Sequence, residues 1–252
     1  MRTSKFPPSN NLRNRQFFYV IMANGKLQSV LVNKAVRTVG TMRPKFNPQN
    51  GKVFSDELNV VGTAFWLKNY KCLMTCAHVI EPLLGAQIEL AGLLVVGNAG
   101  NYKRAIIEII DEQHDLAILK LLDDNGQFLQ GDQLDTESND GLDITSSYPQ
   151  VSTQVAYSGF PLGNQLLDKV HSPTYVEGII GVSKRDDGRR KNIQISGSVI
   201  GGLSGAPIVL KSDQSKLVGV LSNSPTKEAG VANIFMGISW EHVKALAELS
   251  DS

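Results

Sequence analysis

The chain has 252 residues, with 42% hydrophobic and 19% charged side chains and a formal net charge of +1. That length suits one large domain or two subdomains, and the composition excludes a wholly disordered or collagen-like chain. No run of about 18 apolar residues occurs and the polar start MRTSKFPPSNNLRNRQ has no apolar centre, so neither a membrane span nor a signal peptide is expected.

The first 58 residues hold ten Lys or Arg against Asp56 and Glu57, and the remainder carries 15 basic against 22 acidic residues. Seven acidic residues and no Lys or Arg lie in 121–143. This basic leader can neutralise the acidic segment of its own chain, or it can recruit an anionic or regulatory partner. A nucleic-acid partner is not expected, because the leader carries no recognisable binding motif and phosphate attraction alone is unspecific.

The first fifteen residues, with Pro7, Pro8 and several Asn, read as a flexible arm, and Asn24-Gly25 suits a type I′ hairpin turn between apolar runs. The turn-rich stretch 43–52 follows. From residue 60 onward short β-rich runs alternate with turns, at 60–67, 72–76, 87–90, 105–110 and 116–121, then at 154–159, 174–182, 192–195, 207–210, 217–221 and 233–238. The spacing suggests an all-β fold, barrels or a sandwich, and the count suits two packed six-stranded antiparallel barrels. The expected division is a basic arm and leading hairpin over 1–58, a first barrel with acidic linker over 59–145, and a second barrel with closing helix over 146–252. That helix is predicted over 239–249, capped by Ser239, with Trp240, Val243, Leu246 and Leu249 at helical spacing.

Cys72 and Cys76 are the only cysteines and fall in one predicted strand. Four strand residues put their Cα atoms roughly 13 Å apart, at about 3.3 Å per residue, beyond the reach of a disulfide. Two unpaired thiols favour a reducing compartment, and a cytoplasmic location is expected.

Three segments bear chemistry. Gly62-Thr63-Ala64-Phe65-Trp66 leads to Thr75-Cys76-Ala77-His78-Val79, where a strand end delivers the His78 imidazole to a cleft. In His114-Asp115-Leu116-Ala117-Ile118-Leu119 a carboxylate opens an apolar run; once drawn inward it needs donors, and a histidine Nδ1–H is a suitable one. Asp111 is its close rival. In Gly202-Leu203-Ser204-Gly205-Ala206-Pro207 the glycines let the backbone turn tightly beside a hydroxyl, so the N–H groups of Gly202 and Ser204 can converge on a developing oxyanion. Each segment alone is more often a strand end or an ordinary turn.

Together, in the order His, Asp, Ser, they resemble the trypsin-like serine peptidases, most closely the bridge-poor HtrA-like group, and Gly159-Phe160-Pro161-Leu162-Gly163 matches a further turn of that family. The resemblance implies a serine endopeptidase acting on protein or peptide substrates, with Ser204 as nucleophile, His78 as general base, Asp115 orienting it, and no metal or organic cofactor. The alternative is an inactive trypsin-like fold that binds proteins. Leu203 stands where secreted members carry an Asp that pairs with a freshly cut N-terminus, so activation of that kind is not expected, and no PDZ domain follows the helix. The implied specificity pocket takes Ser198, Val199, Ser222, Asn223 and Ser224; with no acidic residue among them, a small or medium apolar P1 residue is expected.

Overall fold

The computed structural model describes residues 31–46, 49, 53–81, 93–98, 101–161, 172–186, 188, 191–198, 201–223 and 234–250. The arm, the Asn24-Gly25 turn and the run at 87–90 lie outside them. A short helix α1 (Leu31–Ala35) leads into β1 (Val36–Phe46), which turns back antiparallel to β2 (Val53–Leu67). β3 (Cys72–Thr75), β4 (Leu93–Asn98), β5 (Asn101–Asp111) and β6 (Leu116–Leu121) complete a closed barrel of order β1-β2-β3-β6-β5-β4. The register puts Ala64, Trp66, Leu73 and Leu119 on one face of the barrel wall and Phe65, Met74 and Ile118 on the other, and both sets are buried. This barrel takes its first strand from the segment read as a leader, and residue 59 falls inside β2.

The second barrel comprises β8 (Gln154–Gly159), β9 (Thr174–Asp186), β10 (Lys191–Gly197), β11 (Pro207–Leu210), β12 (Lys216–Asn223) and β13 (Ile234–Ser239). Its sheet runs β11-β8-β9-β10-β13-β12, and pairing of β11 with β12 closes the ring of six. A two-residue strand, β7 (Asp143–Ile144), adds to β12 in parallel as a seventh member. Tyr157, Ile180, Ile193, Ile195, Ile208 and Val218 fill this second core.

Between the barrels the chain is stitched to both. Lys68 N and Leu142 N donate to Leu142 O and Trp66 O, while Asp143 N and Thr145 N donate to Ser215 O and Leu217 O.

Among the described residues, two further helices accompany α1 and the predicted C-terminal helix: α2 (Ala77–Ile80) and α3 (Gly131–Ser138). α3 lies in the acidic segment, which the sequence reading left without structure. Its neighbourhood pairs with cations of the first barrel and of the leader: Arg37 and Lys103 reach Glu137 at 3.6 and 3.5 Å, Lys71 reaches Asp135 at 2.5 Å and Lys34 reaches Asp140 at 3.9 Å. These partly exposed pairs add little stability each. They do show the described end of the basic leader meeting the acidic segment of its own chain.

The closing helix α4 (Trp240–Ser250) is capped by Ser239, whose Oγ accepts the Glu241 N–H at 3.4 Å. It packs on β12 and β13 of the second barrel and on β5 and β6 of the first. Val243, Leu246 and Ala247 form its buried face, and burial of Val and Leu contributes roughly 1.5–3 kcal/mol each. Leu249, predicted on that face, is 63% exposed. Leu249 points away from the barrel, while the last residue of the helix, Ser250, still donates to Glu108 of β5 at 2.9 Å.

Candidate active site

β3 is buried at all four positions, and its end passes directly into α2. His78, in the first turn of α2, therefore leaves a rigid strand at a sharp change of direction. Asp115 sits at the other end of the neighbouring β5–β6 turn with φ 59°, in the left-handed region that Asp tolerates better than most residues. The turn aims its carboxylate inward, where the residue is only 5% exposed.

Three donors meet that carboxylate. The His78 ring nitrogen Nδ1 lies 2.9 Å from both oxygens, the His78 main-chain N–H donates to Oδ1 at 2.9 Å, and the Ser222 hydroxyl donates to Oδ2. Burial by itself would raise the pKa of Asp115, but the bonds from the His78 ring, the Ser222 hydroxyl and the His78 amide outweigh it, so the group sits below its ordinary value. With Asp115 ionised, the Nδ1 that faces it carries a proton.

The rival carboxylate is engaged elsewhere. Asp111 accepts the His114 N–H at 3.1 Å and lies 2.6 Å from His114 Nδ1, and His114 stacks on His242 with ring centroids 4.0 Å apart.

Ser204 arrives from the second barrel in a turn that only glycine permits. Gly202 and Gly205 have φ 95° and 84°, and a Cβ on Gly205 would stand 2.1 Å from Thr63 O. The turn is tied across the crevice, since Thr63 N donates to Ser204 O at 3.0 Å. The Ser204 hydroxyl donates to Ser222 O at 3.2 Å. Ser222 thus touches Ser204 through its carbonyl and Asp115 through its hydroxyl, and the three segments form one hydrogen-bonded chain.

Of the residues expected to line a specificity pocket, Ser222 has its hydroxyl turned to Asp115. Ser198 is exposed and its carbonyl accepts the Tyr157 hydroxyl at 2.7 Å, bracing the end of β10. Asn223 pairs with Met236 in register, and Val199 and Ser224 lie outside the described residues. Sequence reasoning missed Ser222 as a partner of Asp115; a hydroxyl following the buried run Leu217–Leu221 was the available signal.

Cys72 and Cys76 are both free of disulfides and buried. Cys76 Sγ lies 3.4 Å from Leu221 O behind the site, and burial together with nearby Asp115 pushes its thiol up, keeping it protonated. Among the described residues, Cys76, His78 and Asp115 offer three potential metal-ligand atoms within 4.8 Å of one another. Their chemistry is a poor fit for a resident ion, because a metal needs the thiolate and the Asp115 oxygens are already taken by three donors.

Two barrels with a histidine–aspartate pair and a glycine-flanked serine at their junction define a peptidase-type architecture. A family model for the trypsin-like peptidase domain matches residues 62–220, and the chain belongs to that family. Among solved structures it is similar to the Rv3671c protease from M. tuberculosis in its active form, with a TM-score of 0.55 and 17% identity over 85% of this chain and 79% of that one. At that identity the likeness is one of fold. No curated protein sequence matches the chain.

Proposed function

We propose that the protein is a serine endopeptidase in which Ser204 attacks, His78 moves the proton and Asp115 orients His78. The observation that carries this reading is the meeting of His78 Nδ1 and the Ser222 hydroxyl on Asp115 while Ser222 O holds the Ser204 hydroxyl. On this reading the Ser204 hydroxyl leaves Ser222 O and turns to His78 Nε2 to react. As Oγ adds to a peptide carbonyl, its proton passes to Nε2 and the imidazolium that forms is stabilised by Asp115. The carbonyl oxygen becomes an oxyanion, held by the N–H groups of Gly202 and Ser204. Collapse of the adduct expels the amine, which takes the proton from Nε2. Water then enters by the same steps in reverse, releasing the acid and the Ser204 hydroxyl.

The residues expected around the specificity pocket carry no charge, which supports a small or medium apolar P1 residue. The test is labelling with a fluorophosphonate together with cleavage of a peptide library, for the native chain and for Ser204→Ala. Labelling and cleavage by the first and neither by the second are expected. Undiminished cleavage by pure Ser204→Ala overturns the reading, and a folded native chain that does not label leaves the fold as a protein-binding module.

A further inference from the structure

The segment 198–206 carries no charged side chain and contains Gly201, Gly202 and Gly205, so whatever holds its shape is neutral and has to restrain glycine. Much of that restraint converges on Thr63, a fully buried residue in β2 of the opposite barrel. Its hydroxyl donates to Gly202 O at 3.0 Å and accepts the Phe160 N–H at 3.1 Å. Because Phe160 occupies a lone pair, the hydroxyl proton is left for Gly202. The main chain of Thr63 does as much: its N–H donates to Ser204 O at 3.0 Å and its carbonyl accepts the Thr75 hydroxyl at 2.7 Å. Gly159 and Gly205 make room for these approaches, since a Cβ on either would stand 2.5 Å from Thr63 Oγ1 and 2.1 Å from Thr63 O respectively.

We propose that Thr63 is a positioning residue for the hydrolysis, its hydroxyl clamping the peptide between Gly202 and Leu203 to the first barrel and so aiming the N–H groups of Gly202 and Ser204. The proposal rests on Ser204 being the nucleophile. It also accounts for the Gly159-Phe160-Pro161 turn, whose Phe160 amide orients the clamp. Thr63 does not touch the reacting atoms; it removes the freedom that Gly202, at φ 95°, otherwise has. An oxyanion donor displaced by a fraction of an ångström stabilises the transition state less and leaves ground-state substrate binding almost untouched.

Thr63→Val keeps the branching and removes the hydroxyl; Thr63→Ser keeps the hydroxyl and removes a methyl. With one peptide substrate, Thr63→Val should lower kcat by about ten- to a hundredfold with KM changed by less than about twofold, the signature of an interaction made in the transition state. Affinity for a peptide boronate, which forms a tetrahedral adduct on serine, should fall in parallel. Thr63→Ser should stay within about threefold of the native rate, as a retained clamp requires. A folded Thr63→Val enzyme with native kcat, or a Thr63→Ser enzyme as slow as the valine variant, overturns the proposal. Should Thr63→Val fail to fold by near-UV circular dichroism, Thr63→Ala against Thr63→Ser isolates the hydroxyl, and equal rates for that pair overturn it. A native chain that neither labels nor cleaves sinks the nucleophile and the clamp together; an active native chain indifferent to Thr63→Val sinks the clamp alone.

Discussion

Replacing Asp115 by Asn tests the orientation of His78 most directly. Nδ1 of His78 stands 2.9 Å from both carboxylate oxygens, so an amide at this position places its NH₂ against Nδ1 whichever way it is flipped. An NH₂ is a donor only and replaces one of the two acceptors facing Nδ1, which shifts His78 toward the tautomer in which Nδ1 accepts. The proton moves to Nε2, which no longer takes one from Ser204. Turnover near neutral pH should fall by about 10⁴-fold, the cost of the wrong tautomer in a comparable triad, while size and packing hardly change. Asp111→Asn is the control: its partner is His114, and it should cost little activity. The assay is steady-state hydrolysis of one peptide by the three proteins, with active sites counted by fluorophosphonate. A nearly silent Asp115→Asn beside a damaging Asp111→Asn would refute the assignment. The same substitution has a stability readout. The pKa of Asp115 is depressed in the fold, so its contribution is complete above its unfolded value and is lost as pH falls through the folded one. Below about pH 3.9 the Asn variant should therefore lose stability less steeply than the native chain in urea titrations.

His242 offers a separate pH window. Burial, stacked His114 and nearby Lys191 depress its pKa below 6.5, and its Nε2 accepts the Lys191 N–H at 2.8 Å, which protonation forbids. Asp111 and Glu241 oppose the depression without cancelling it. The unfolded chain takes up the proton first, so stability should fall as pH drops below 6.5, and urea unfolding of His242→Gln should show a flatter dependence there. Equal slopes for the two proteins would refute this. For the thiols, alkylation in denaturant without reductant should add two groups, at Cys72 and Cys76, and reductant should leave activity unchanged. Fewer than two adducts by intact mass would contradict free cysteines.

The second barrel was legible because its strands are short apolar runs bounded by turns; β8 and β11 coincide with the runs at 154–159 and 207–210. β1 was not. Its buried positions include the polar residues Thr38 and Thr41, and Thr38 donates to Gly97 O at 3.1 Å, so no apolar alternation marks it. α3 escaped because GDQLDTES is polar except for Leu134 and is paired by ions to the barrel, interactions with no local sequence signal. At the site, motif order brought His78, Asp115 and Ser204 into view, and the structure draws their segments into one hydrogen-bonded chain. Ser222 and Thr63 were invisible as partners because their roles depend on contacts 107 and 139 residues away in sequence. A threonine within the buried run 62–67 is nonetheless a group that must find a partner.

The main-chain bonds that tie residues 142–145 to both barrels set a limit on how the molecule breathes. Parting the barrels on that side means breaking the bonds from Lys68, Leu142, Asp143 and Thr145 while exposing their amides in a cramped crevice. Domain swinging of the kind that opens many two-lobed enzymes is thereby disfavoured. The amide protons of Leu142, Asp143 and Thr145 become reporters of this: in hydrogen exchange they open with the whole fold, whereas a clamshell motion would release them first.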